Sequence, residues 1–372
     1  MKKYIYISLI LAIILNFSIS HGENINLSKD ISLSGKSSIL IDADTGRILY
    51  EKNAHEKMPM ASTTKIMTAL IALEKGSLDD KIKVVDESIG VEGSSIYLKQ
   101  GEIITLKDLI YGLMLRSGND SAVAIASYIG GSTEEFVKLM NDKAKSIGAL
   151  NTNFTNPNGL HDENHYSTAY NMALITKEAF KKDEFLNIIK SKSYVAEREE
   201  NNYFYNKNKT LIEYEGGNGV KTGYTMKSGR CLVSSASRNG MNLIAVSLNA
   251  SDWFNDNYKL LDYGFNNYKS SLIYDKGQYL KKVTINDGDK EYLDLVTEKS
   301  FFYPLKEGER EKIKISIETP DEIQLPIDKG GKIGYVSIYL DNQLIDKSNL
   351  IAKTSINKKG IIKRIFDKIS QK

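Results

Sequence analysis

A single cysteine, Cys231, among 372 residues excludes an intrachain disulfide, so packing must hold the fold. An excess of charge of either sign is also lacking. Fifty basic residues face 47 acidic ones, a net charge of +3 that is too balanced for a nucleic-acid binder. Histidine is scarce, at four residues. His161 and His165 stand at metal-compatible spacing in "NPNGLHDENHYS", but no acidic or cysteine cluster completes a site, so neither a metal nor another cofactor is expected. Long hydrophobic runs are missing too. The apolar stretch from Tyr4 to Phe17 is too short for about 30 Å of hydrocarbon, which excludes a polytopic membrane protein. A hydrophobic content of 41% with 26% charge excludes a wholly disordered chain.

That apolar stretch follows Met1-Lys2-Lys3 and precedes the small residues Ser18-Ile19-Ser20, the pattern of a secretory leader over residues 1–20. An uncleaved N-terminal anchor is the alternative. Export to the outer face of a bacterial cytoplasmic membrane, in the cell-wall space, is therefore expected.

Ser37 to Tyr50, "SSILIDADTGRILY", reads as a hairpin turning at Asp44-Thr45-Gly46. "MPMASTTKIMTALIALEKGSL" follows, a helix with Pro59 in its first turn and Gly76 at its stop. Because it is apolar on nearly every face, it belongs in the middle of a domain. Helical patterning returns over 106–115, 121–129, 133–147 and 168–180. After Gly216 the period becomes that of strands, in "GVKTGYT", "RCLVSSASR" and "NLIAVSLNA", with Asn239-Gly240 as a turn. Hairpin, helices and then antiparallel strands predict an α+β sandwich over 21–268, its first strands returning beside its last. From 272 to 352 short alternating runs predict a small all-β domain with no histidine or cysteine to suggest chemistry. Residues 353–372 hold seven basic residues against Asp367, and Ile361, Ile362, Ile365, Phe366 and Ile369 share a helical face. That is either a basic amphipathic helix lying in an anionic membrane surface or a tail docked on the β domain.

Ser62 and Lys65 stand three residues apart at the start of the apolar helix, so their side chains are neighbours. A serine hydroxyl needs a base before it can attack, and a lysine can serve only if neutral, which burial and a nearby second cation both favour. Ser-x-x-Lys also occurs at Ser355 to Lys358, in the polar tail, where a solvated lysine explains it. Ser117-Gly118-Asn119 lies in "LMLRSGNDSA", between two helices. By itself it reads as a helix cap, and Ser-x-Asn recurs at Ser237, Ser247 and Ser355. Lys221-Thr222-Gly223 occurs once, in a strand whose edge could pair with an extended peptide. Lys221 and Thr222 could hold a carboxylate there, and Gly223 would let a backbone approach. Cys231 reads as a small buried residue rather than a second nucleophile.

Ser-x-x-Lys, Ser-x-Asn and Lys-Thr-Gly in that order form the signature of active-serine penicillin-binding enzymes. Together with "SSILIDADTGRILYEKNAHEKMPMASTTKIMTAL", "NPNGLHDENHYSTAYNMALI" and "GVKTGYTMKSGRCLVSSASRNG", the chain resembles the low-molecular-weight penicillin-binding proteins that are D-alanyl-D-alanine carboxypeptidases. The resemblance implies a β-lactamase/transpeptidase-like sandwich and a peptidoglycan stem peptide ending in D-Ala-D-Ala as substrate, with β-lactams trapped at the same serine. It implies Ser62 as nucleophile, Lys65 as general base and Ser117 as proton relay. Asn119 would contact substrate and orient Lys65, Lys221 and Thr222 would hold the terminal carboxylate, and the N–H groups of Ser62 and Tyr224 would form the oxyanion hole. Many relatives carry histidine where this chain has Tyr224, which leaves that side chain without an implied role.

A serine β-lactamase would need a Glu-x-x-Leu-Asn pattern, and the nearest stretch, "DEFLN", offers Asp183 instead. A D,D-endopeptidase or transpeptidase would use the same residues. A wall-binding scaffold with a vestigial site is the non-enzymatic alternative.

Overall fold

The computed structural model describes residues 31–360. The leader at 1–20 and the helical face at 361–369 lie outside the described residues. Five antiparallel strands form the central sheet: β1 (Ser37–Asp42), β2 (Ile48–Lys52), β7 (Gly217–Thr225), β8 (Gly229–Arg238) and β9 (Met241–Leu248). Their order is β2-β1-β9-β8-β7, and Ser37 to Asp42 pair with Leu248 to Leu243. The first strands thus return beside the last, and β7 forms one edge of the sheet. Asn239 and Gly240 both take positive φ, 50° and 75°, the backbone a two-residue turn between right-twisted strands requires.

Alternation along β1 splits the core in two. Ile39 and Ile41 face one side with Ile244 and Val246, against α1 (Lys65–Lys75) and α5 (Ala169–Ala179). Leu40 faces the other with Leu243 and Ala245, against α8 (Trp253–Asn267). Helix α8 escapes the periodicity reading because its sequence is rich in Asn, Asp and aromatics. Only Asp256, Asn257, Leu260, Leu261 and Gly264 of it are buried. A Cβ on Gly264 would come within 2.5 Å of Leu243 and 2.8 Å of Leu40, so this glycine sets how closely the helix sits on the sheet.

Around α1 lie α2 (Leu106–Tyr111), α3 (Asn119–Gly130), α4 (Thr133–Ser146) and α6 (Asp183–Lys190). Asp183, the candidate deacylating acid of a β-lactamase, is exposed at the start of α6. Two short hairpins, β3 (Lys81–Lys83) with β4 (Ile103–Thr105) and β5 (Ser193–Val195) with β6 (Tyr203–Tyr205), and the single turn α7 (Thr210–Glu213) complete this unit.

The second unit is all β. Its strands are β10 (Lys269–Tyr274), β11 (Tyr279–Thr284), β12 (Tyr292–Thr297), β13 (Phe301–Leu305), β14 (Ile313–Glu318), β15 (Lys332–Leu340) and β16 (Gln343–Ala352). They form a sheet in the order β11-β12-β16-β15-β14 and a β10-β13 pair around Leu293, Leu295, Val336, Ile338 and Leu350. The chain stays on this core past β16, since Ile356 is buried and bridges Ile327. Arg47, in the β1–β2 hairpin, ties the units together. It pairs with both Glu309 oxygens at 2.9 and 2.6 Å, donates to the Pro304 carbonyl at 2.5 Å, and lies 5.1 Å from the ring centres of Tyr268 and Tyr303.

Candidate active site

The helix bearing Ser62 and Lys65 begins later than Pro59 suggests. Ala61 takes φ 47°, Ala61–Thr64 form a 3₁₀ turn, and α1 proper starts at Lys65. In a 3₁₀ turn residues i and i+3 eclipse, which sets Lys65 directly behind Ser62. The turn is wedged between two glycines. A Cβ on Gly223 of β7 would lie 3.0 Å from the Ser62 nitrogen, and one on Gly159 would lie 2.0 Å from the Ala61 carbonyl oxygen. Glycine at both positions lets the strand and the loop close on the serine backbone.

Lys65 is fully buried while Ser62 is only half-buried. The lysine Nζ lies 3.0 Å from Ser62 Oγ, 2.6 Å from Asn119 Oδ1 and 2.5 Å from the Asn158 carbonyl oxygen. Asn119 cannot be turned round, because its Nδ2 donates to the Glu92 carbonyl. Burial, and then the charge of Lys221, push the Lys65 amine well below the usual lysine range against a smaller opposing pull from Asp120. Among the described residues no carboxylate bonds to it.

Helix α2 runs into a π-helical turn, Gly112–Arg116, and stops at Ser117 with φ 64°. A left-handed, non-glycine residue after a π turn is a strained arrangement, of the kind concentrated at functional sites. Lys221 Nζ, also buried, donates to Ser117 Oγ at 3.1 Å and to the Thr222 carbonyl at 3.0 Å. Burial, and then the charge of Lys207, bring Lys221 down to about 7. Five of the predicted residues therefore fall into two hydrogen-bonded groups, Ser62–Lys65–Asn119 and Ser117–Lys221, built from helix, loop and strand and close enough for the charge of Lys221 to act on Lys65. Thr222 is half-buried beside it, Gly223 abuts the Ser62 turn, and the Tyr224 side chain is 62% exposed at the mouth.

Two contributors carry no sequence signal of their own. The Asn158 carbonyl is a backbone group, and Asp120 acts from below. The Asp120 carboxylate accepts from Ser95 Oγ and from the N–H groups of Ile96 and Leu98, which fixes the 94–98 loop over Asn119. The two histidines of the 156–167 loop separate in function. His161 faces Glu163 at 3.1 Å on the surface. His165 is buried: its Nδ1 accepts from the Thr155 N–H at 3.0 Å, and its Nε2 lies 2.8 Å from Thr64 Oγ1, which donates to the Ala61 carbonyl at 2.8 Å. That chain of bonds makes Nε2 the protonated nitrogen of a neutral ring and buttresses the Ser62 turn. Burial holds this histidine down to about 4. Among the described residues no group of three or more histidine, cysteine or acidic side chains is placed to hold a metal. Cys231 is fully buried under the turn, 3.7 Å from the Pro59 carbonyl, and burial raises its thiol to about 11. A thiol so seldom ionised is a packing residue.

The D-alanyl-D-alanine carboxypeptidase family profile matches residues 24–252, and that of the penicillin-binding protein 5 C-terminal domain matches 268–358. The chain is 37% identical to D-alanyl-D-alanine carboxypeptidase DacF of Bacillus subtilis over 346 residues, covering 90% of this chain and 89% of the relative. It is 31% identical to DacC of Escherichia coli, covering 92% and 89%. Penicillin binding protein 5 of Haemophilus influenzae superposes with a TM-score of 0.73 at 29% identity, over 88% of this chain and 99% of that one.

Proposed function

This chain belongs to the D-alanyl-D-alanine carboxypeptidase family, and from that premise we propose that Ser62 removes the terminal D-alanine of a peptidoglycan stem peptide through an acyl-serine. One observation carries the mechanism: the buried Lys65 amine has two obligate acceptors, Asn119 Oδ1 and the Asn158 carbonyl. A neutral amine gives one proton to each, and its lone pair is left aimed at Ser62 Oγ, 3.0 Å away. The serine proton passes to Lys65 as Oγ attacks the carbonyl between the D-alanines. The N–H groups of Ser62 and Tyr224 receive the oxyanion. Ser117, held by Lys221, relays the proton to the leaving nitrogen. Lys221 and Thr222 anchor the terminal carboxylate, which favours an exopeptidase. Water then takes the place of the leaving amine, Lys65 receives its proton, and the ester is cleaved. A penicillin enters by the same attack and remains on Ser62.

The test is D-alanine release from a peptide ending in Lys-D-Ala-D-Ala, using protein from residue 21 onward beside Ser62→Ala. Release that vanishes with Ser62 is expected. Release that survives in the variant would overturn the assignment of the nucleophile. A penicillin adduct on Ser62 without any release would keep the nucleophile and reject the substrate.

The leader pattern supports export to the cell-wall space. The basic apolar face at 361–369 supports contact with an anionic membrane surface, and no helix among the described residues is long and apolar enough to span one. Since Ile356 is part of the β-domain core, the truncation that tests the tail begins at 361. It should release the protein from anionic vesicles with peptide turnover unchanged, and retained binding would end the idea.

A further inference from the structure

Strand β7 passes the nucleophile and continues beyond it. Gly223 abuts the Ser62 turn, Lys221 lies two residues before it, and Tyr224 comes directly after. If the terminal carboxylate rests at Lys221 and Thr222, the acyl half of the peptide must run the other way, past Tyr224. Around that edge of the sheet, on the face that carries α8, lies an open pocket of about 630 Å³, lined by Tyr224, Arg230, Asn249, Ser251 and Trp253 among others. It is formed by the ends of β7 and β8 beside their turn and by the segment leading into α8, and of the residues assigned to the site only Tyr224 lines it.

Its polar lining is asymmetric. Arg230 is the direct cross-strand partner of Tyr224, so the two side chains stand on one face of the sheet. One Nη of Arg230 donates to the Ser251 carbonyl at 2.8 Å, which orients the guanidinium and leaves its other donors without a protein acceptor among the described residues. The guanidinium carbon lies 6.0 Å from the Trp253 ring centre. The nearby carboxylate of Asp252 is engaged by Asn255 Nδ2 at 3.0 Å through both oxygens. A fixed guanidinium beside an aromatic wall suits a carboxylate attached to an extended peptide, since the fork binds the anion and the ring covers the chain.

We propose that this pocket binds the acyl half of the substrate and that Arg230 pairs with a carboxylate on the residues preceding the two D-alanines. The proposal rests on the carboxypeptidase reading and deepens it. The pocket favours a stem peptide carrying a free carboxylate there over the same peptide amidated.

Trp253 is the chain's only tryptophan, so its emission reports the pocket directly. The experiment titrates the non-turning Ser62→Ala protein with two peptides ending in D-Ala-D-Ala. They differ only in a carboxylate or carboxamide on the residue before the D-alanines. The carboxylate form should bind about tenfold more tightly and shift the Trp253 emission, and Arg230→Gln in the same background should bring that ratio toward one. Equal affinity for the two peptides, or a preference that survives Arg230→Gln, would overturn the proposal. Turnover of a short N-acyl-D-Ala-D-Ala by the protein with Ser62 intact tests the carboxypeptidase reading separately. If that fails while the carboxylate preference holds, the pocket stands and the reaction assignment falls.

Discussion

Two of the regions that bury positive charge in this protein do opposite things with it. At the junction of the two domains Arg47 is desolvated, but both Glu309 oxygens, a backbone carbonyl and two aromatic faces surround it. Burial lowers its basicity and the Glu309 bonds more than restore it, so Arg47 is held above its usual value and Glu309 below its own. At the candidate active site Lys65 and Lys221 are desolvated, and among the described residues no carboxylate bonds to either amine. Their bonded partners are neutral oxygens, and both fall below the lysine range: Lys65 through burial and the charge of Lys221, Lys221 through burial and the charge of Lys207. The same cost of burial yields a structural lock where a counter-anion is supplied and a reactive amine where it is withheld.

The largest effect should come from emptying the reactive side. Lys65→Ala should slow acylation of Ser62 by penicillin about 10⁴-fold, the upper range for loss of a general base, with the circular-dichroism spectrum retained. Mass spectrometry of the adduct against time measures it. An unchanged rate would mean that burial without a counter-anion has no bearing on reactivity here.

Breaking the lock should do the reverse. Arg47→Ala strands the Glu309 carboxylate and should destabilise the domain junction by about 3 kcal/mol in denaturant titration, while kcat/KM on a soluble peptide changes less than about twofold. Adding Glu309→Gln should recover part of that loss, because the stranded charge is gone. Purely additive losses would show that the pair is not coupled.

His165 places a third buried group between these extremes, neutral and fully hydrogen-bonded. Its folded value of about 4 lies below the 6.5 of an exposed imidazole. The unfolded chain therefore takes up a proton first as pH falls, and the stability gained from the neutral ring is present above 6.5 and lost on the way down to about 4. Between pH 7 and pH 5 the loss should be about 2 kcal/mol, and His165→Gln should remove that pH dependence. An identical slope in both proteins would assign it elsewhere.

How far the sequence shows this division depends on which groups supply the partners. Ser62, Lys65, Ser117, Asn119 and Lys221 are legible because side-chain chemistry at fixed spacing is what a motif records. The α+β order and the β1–β9 return are legible from the change of period after Gly216. Helix α8 is not, since Asn, Asp and Tyr mask its narrow apolar stripe. Strands β10 and β13 also escape, as a two-stranded pair with one mixed face leaves little alternation. The Asn158 carbonyl, which fixes the Lys65 lone pair, leaves no trace in residue type. Nor does Glu309, one acid among 47, announce that Arg47 of a distant hairpin will meet it.

The smallest effect sharpens the comparison most, because it restores a permanent charge to the reactive side. Burial and the charge of Lys207 bring Lys221 down to about 7, so the cation proposed to hold the substrate carboxylate is present below that pH and lost above it. Its charge also helps lower Lys65, so in the proposed mechanism its loss raises Lys65 again as the hold on the carboxylate weakens. Both changes lower kcat/KM, which should fall as pH rises through about 7. A guanidinium does not deprotonate in this range. Lys221→Arg should therefore move the falling limb well above neutrality, while the longer side chain, forced into a filled site, raises KM about threefold at pH 7 through looser carboxylate geometry. A limb that stays near 7 in Lys221→Arg would place the titrating group outside the cluster, and the contrast with Arg47 would then lie in packing rather than in the missing counter-anion.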